Sequence, residues 1–142
     1  MLARPLEECV AGDGRGSMSE VRPTIISVCT MCGDEIGSPE SALRCPGHVL
    51  YQRLSRCVAD GHPTLTVKAV PCLAVCERPV TVAFQAVGAW GYVIAGVDAN
   101  CDVDGVIAAA RAIASSAQGI PAMADRPRFF RDGVVCRVPP VP

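Results

Sequence analysis

The chain has little of what most catalytic and binding sites are built from. Among its 142 residues are two histidines, His48 and His62, one tryptophan, two tyrosines and three phenylalanines. So few imidazoles leave little material for histidine-rich metal sites or for imidazole acid and base work. Charge of one sign is missing too: 13 Lys and Arg stand against 14 Asp and Glu, for a formal net charge of −1. That removes the electrostatic footprint of a partner to nucleic acid or to an anionic membrane. No apolar run reaches the length that crosses a bilayer. The opening MLARPLEECVAGDGRGS holds acids and glycines and no apolar core of a secretory leader. No carboxylates pair at acid-base spacing, no nucleophile has a neighbouring histidine, and GDGRG at Gly12 to Gly16 follows no strand as a phosphate loop would. The expectation is a cytoplasmic protein, not an enzyme, that binds neither nucleic acid nor membrane.

Cysteine is abundant, with nine residues. The odd count without a leader speaks for a reduced setting and against a disulfide-stapled secreted domain. With half its residues apolar, the chain is long enough for one domain with its own core and too short for two.

The apolar pattern places that core. TIISV at Thr24 to Val28 is apolar on both faces, as a strand buried in a sheet is. HVLYQRLSRCVADG carries Val49, Leu50, Leu54, Cys57 and Val58 on one helical stripe, with Gly61 expected as a left-handed cap. TLTVKAV, VTVAFQAV and WGYVIAGV read as three more strands, the last two a hairpin turning at Gly88, with Trp90 and Tyr92 packing on one face. Asp102 is the expected N-cap of a second helix whose apolar face is Val103, Val106, Ile107, Ala110, Ile113 and Ala114. The order β-α-β-β-β-α describes an α/β fold, a four-stranded mixed sheet with two main helices. Residues 1–22 read as a flexible arm, with Met18 a candidate alternative start, residues 23–117 as the domain, and residues 118–142 as an extended Pro-rich C-terminal extension, whose anchors are Phe129 and Phe130.

Two close cysteine pairs, Cys29-x-x-Cys32 and Cys72-x-x-x-Cys76, each fall at the C-terminal end of a predicted strand. If those strands are neighbours, their ends deliver four thiolates to one place, as a tetrahedral or binuclear metal site requires. Lone cysteines are more often packing, and Cys57, Cys101 and Cys136 are read so. A thioredoxin-type redox pair wants its first cysteine at a helix N-terminus, whereas glycine, proline and acids separate Cys32 from the helix starting near Pro46. Spacing alone does not separate a structural zinc from an iron-sulfur cluster.

VKAVPCLAVCERPVTVAF resembles the second ligand half of the thioredoxin-like 2Fe-2S ferredoxins. More closely, VCTMC, RCPGHVLYQRL, VPCLAVCERPVTVAF, GAWGYVIAGVD and RPRFFRDGVVCRVPP together resemble a bacterial family of predicted metal-binding proteins of unknown function, some encoded near cobalamin and cobalt-chelatase genes; the likeness runs from about Thr24 to Pro140. It implies a thioredoxin-like fold and a 2Fe-2S cluster on Cys29, Cys32, Cys72 and Cys76. Ferredoxins of this kind often space their first pair about a dozen residues apart, and Cys32 and Cys45 have 12 residues between them. Cys45 is therefore the reserve ligand, in place of Cys29 or Cys32. The implied role is a one-electron carrier or cluster-bearing accessory, with a redox or metal-metabolism protein as partner, a homodimer being compatible, and a link to cobalt or cobalamin metabolism. The reading of a different class is a four-cysteine zinc module or metal carrier without redox activity.

Overall fold

The computed structural model describes residues 21–31, 45–75 and 77–141. Strand β1 (Thr24–Cys29) leads to helix α1 (Pro46–Gly61), strands β2 (Leu65–Val70), β3 (Val82–Ala86) and β4 (Gly91–Ile94), helix α2 (Val103–Ser115), helix α3 (Arg128–Asp132) and strand β5 (Val134–Val138), with 3-10 turns at Ala117–Gly119 and Met123–Asp125. The sheet has five strands in the order β2-β1-β3-β4-β5. β1 pairs in parallel with β2, Cys29 lying opposite Val70, and antiparallel with β3.

The apolar run of β1 reflects this interior position: Thr24, Ile26, Ser27, Val28 and Cys29 are buried and only Ile25 shows to solvent. α1 packs on β1 and β2, and α2 on β1, β3 and α1. Ile26, Val28, Leu50, Leu54, Phe84, Ile94, Val106 and Ile113 form the centre of the core between them. Its apolar stripe makes α1 a helix that must dock to be stable. The buried face of α2 is Val106, Ile107, Ala109, Ala110, Ile113 and Ala114, close to the expected set, with Val103 half-covered at its start. The β3-β4 hairpin turns through Gly88 at φ +74°, a backbone shape that glycine takes without a Cβ penalty.

Three local expectations are corrected. Gly61 remains inside α1, and the helix ends on His62 at φ −130° rather than on a left-handed glycine. Asp102 occupies the N-cap of α2 but its carboxylate does not cap the helix; Oδ2 accepts instead from the backbone N–H of Asp98 at 2.8 Å, closing the preceding turn. The sheet has five strands where four were expected, because GVVCRV pairs antiparallel with β4, with an irregularity between Val93 and Ile94.

Phe129 and Phe130 anchor the tail as expected. Phe130 is fully buried, its ring 5.0 Å from Tyr92 and 6.2 Å from Phe84. Arg126 lies over Phe130 and Tyr92 at 4.9 and 5.6 Å and donates through Nε to the carbonyl of Pro121 at 3.1 Å. Arg137 of β5 covers Trp90 at 4.8 Å. Two aromatic residues of β4 and its approach are thus each roofed by an arginine from the tail, a favourable cation-π arrangement. Among the described residues no helix is long and apolar enough to cross a membrane.

Candidate metal centre

The site begins with chain direction. Parallel pairing makes β1 and β2 end at the same edge of the sheet, so the loops leaving Cys29 and Val70 start side by side. The ladder continues one step beyond the strands: the backbone N–H of Thr30 donates to the carbonyl of Val70 at 2.9 Å and the Thr30 hydroxyl to the same oxygen at 3.1 Å. The Cys29 thiol then reaches the carbonyl of Pro71, with Sγ 3.7 Å away. Cys72 follows directly. The two loops that carry Cys29 and Cys72 therefore leave the sheet side by side at one edge.

Cys45 arrives from a third direction. It is the N-cap of α1, is buried with 2% of its surface exposed, and its carbonyl accepts the N–H of Val49 at 3.1 Å. Two residues on, Gly47 lies so close to β1 that a Cβ there would overlap the carbonyl oxygen of Cys29. The missing side chain lets the first turn of α1 rest on the backbone at Cys29 and Thr30. The reserve ligand is thus held at the same end of the sheet as Cys29 and Cys72, a placement the sequence signalled only by its spacing.

Cys72 is exposed and sits in a loop of unusual shape. Ala74 adopts φ +66°, in the left-handed region that costs a residue with a Cβ about 1–2 kcal/mol. Its backbone N–H donates to Cys72 Sγ at 3.2 Å. Hydrogen bonds of this kind from the main chain accompany ligating thiolates and tune the metals they hold.

Cys32 and Cys76, the second members of the two motifs, lie outside the described residues. Among the described residues no group of three or more His, Cys, Asp or Glu side chains is close enough to hold a metal ion. The donor chemistry nonetheless suits soft metals: every candidate is sulfur, which favours zinc or iron-sulfur clusters over hard cations.

The remaining cysteines fall elsewhere. Cys57 is buried in the core, as expected, and is also disulfide-bonded, a bond that the expectation of a reduced chain did not include. Cys101 and Cys136 were expected to pack and are instead exposed, Cys101 in the turn before α2 and Cys136 on β5 opposite Val93. Two shallow surface cavities, one of about 270 Å³ lined by Arg78, Asp102, Arg128 and Asp132 and one of about 240 Å³ lined by His62, Asp104 and Arg111, lie on the helix and tail surfaces.

The sequence model of a family described as "Protein of unknown function (DUF1636)" matches residues 26–140. No curated protein sequence matches the chain. Among solved structures, a thioredoxin-like 2Fe-2S ferredoxin from Aquifex aeolicus is similar at 15% sequence identity and a TM-score of 0.54, the match covering 84% of this chain and 96% of that one. The likeness establishes a thioredoxin-like fold here.

Proposed function

Because the chain belongs to the DUF1636 family, whose function is unknown, its role has to be read from its site, and we propose that it is a small ferredoxin-like protein that carries one electron on a 2Fe-2S cluster. Cys29, Cys32, Cys72 and Cys76 are the proposed ligands, with Cys45 in reserve in place of Cys29 or Cys32. The observation that carries this reading is the parallel β1-β2 pair, whose adjacent ends launch both cysteine loops. The hydrogen bond from Ala74 to Cys72 Sγ supports it, as does the similarity in fold to a 2Fe-2S ferredoxin. When bound, such a cluster would supply a one-electron couple whose potential depends on hydrogen bonds to sulfur and on exposure. Cys72 is exposed at the surface, so a redox protein or a protein of metal metabolism could approach the site closely. Such a partner belongs to the proposal.

Anaerobic purification tests it. The protein should be red-brown, hold about two irons per chain and bleach on dithionite reduction. A colourless preparation with one zinc per chain would replace this reading with the structural zinc module. Serine substitutions then identify the first pair: of Cys29→Ser, Cys32→Ser and Cys45→Ser, the two that prevent cluster loading name it, whereas Cys72→Ser and Cys76→Ser should both prevent loading.

A further inference from the structure

The loop between β2 and β3 carries the one described residue that combines a strained backbone with a contact to a proposed ligand. Ala74 sits at φ +66° although it has a Cβ. Strain of this kind persists only where the surroundings over-determine it, and it gathers at functional sites. The surroundings here do so from both sides. Before Ala74, Leu73 packs against the core. After it, the Val75 carbonyl accepts the backbone N–H of Arg78 at 3.2 Å and lies 3.5 Å from the hydroxyl of the fully buried Thr81. Between these anchors the N–H of Ala74 has one direction, toward Cys72 Sγ at 3.2 Å.

We propose that Ala74 is a positioning residue whose backbone N–H sets the reduction potential of the cysteine site, the alanine itself being dispensable. The inference rests on the reading of Cys72 as a cluster ligand. A thiolate bound to iron carries negative charge, and one electron taken from a reductant adds another. An N–H dipole aimed at that sulfur favours the more negative, reduced state and so raises the potential. An N–H held in place by the fold supplies this without reorganisation at each electron transfer. The backbone of Cys72 and Leu73 aims it, and the left-handed turn at Ala74 then redirects the chain that follows.

The experiment replaces Ala74 by L-lactic acid through ribosomal incorporation of the hydroxy acid, which exchanges the amide for an ester and puts an oxygen in place of the N–H. Potentials are read by anaerobic dithionite titration of the visible absorption. The ester variant should load its cluster and titrate at a lower potential than the wild type. Ala74→Gly, which keeps the N–H and suits the same φ, should titrate with the wild type. A loaded ester variant with an unchanged potential would overturn the proposal and leave the ferredoxin reading intact. A wild type that never takes up iron would overturn both. Should the ester variant fail to load, amide exchange in the wild type decides: the Ala74 N–H should be protected in the loaded protein relative to that of Val75, and equal exchange at the two would refute the proposal.

Discussion

Replacing Gly47 by alanine sets two effects of opposite sign against each other, and the structure decides between them. Inside a helix, alanine is favoured over glycine by about 1 kcal/mol, so propensity alone makes Gly47→Ala stabilising. The new Cβ, however, would overlap the carbonyl oxygen of Cys29 and stand 3.0 Å from its carbonyl carbon and 3.3 Å from the Thr30 Cα. All three atoms are backbone, at the end of the interior strand β1, and none can rotate away as a side-chain tip could. The first turn of α1 would have to lift off β1. Overpacking in a close-packed interior costs about 1–3 kcal/mol, and an overlap with backbone belongs at the upper end. The net expectation is destabilisation by about 1–2 kcal/mol, with Cys45 displaced relative to Cys29. Urea denaturation followed by the fluorescence of Trp90 measures the first, and iron content after anaerobic reconstitution measures the second. Gly88→Ala is the control: nothing lies within 4 Å of its Cβ, but φ is +74°. It should lose about 1 kcal/mol and keep its iron. A Gly47→Ala protein as stable as the wild type or more so would refute the packing argument.

Other outcomes follow from the tail and the site. Phe130→Ala empties a fully buried position between Phe84 and Tyr92 and should cost about 3–5 kcal/mol, read as a fall in urea midpoint at constant slope. Arg126→Gln removes the cation over both rings and the bond to the Pro121 carbonyl; a loss of about 1–2 kcal/mol is expected, together with faster proteolysis after residue 116. Asp132→Asn breaks the Arg128 pair, whose side chains are 89% and 71% exposed at 3.6 Å, and should change stability by less than about 0.5 kcal/mol. If the protein carries the proposed cluster, removing its iron with a chelator should accelerate amide exchange at Thr30 and Ala74 while leaving Ile26, Phe84 and Ile113 protected; uniform acceleration would mean that the metal holds the whole domain together.

The elements that sequence reading placed well are those whose burial follows a simple period. β1, the β3-β4 hairpin and the face of α2 read correctly because each presents a continuous apolar face to the core. The fifth strand was visible only as a short β-like piece, since Val134–Val138 is mostly exposed on the sheet edge and so lacks the alternation that burial imposes. Gly61 misled because a glycine near a helix end usually marks a left-handed cap, while here the helix runs through it and ends one residue later. At the site, the spacing of Cys29 and Cys72 after strands was legible. The role of Gly47 was not, because a close approach between a helix and a strand is a tertiary fact with no local period. Nor could any propensity announce Ala74, a residue that ordinarily avoids the left-handed region.

The strand order has a further consequence. β1 and its cysteines are separated from β4, where the tail docks, by the whole width of β3, which sets them about 10 Å apart across the ladder. Sites at that distance couple through what lies between them, and here that is Phe84 of β3, which pairs with Ile26 of β1 and stacks on Phe130 of the tail. Changes in the cysteine loops that leave Phe84 in place should therefore add to changes in the arginine-roofed aromatic cluster, whereas a change at Phe84 itself reaches both. One ring on the middle strand is thus the joint through which the two ends of the sheet feel each other.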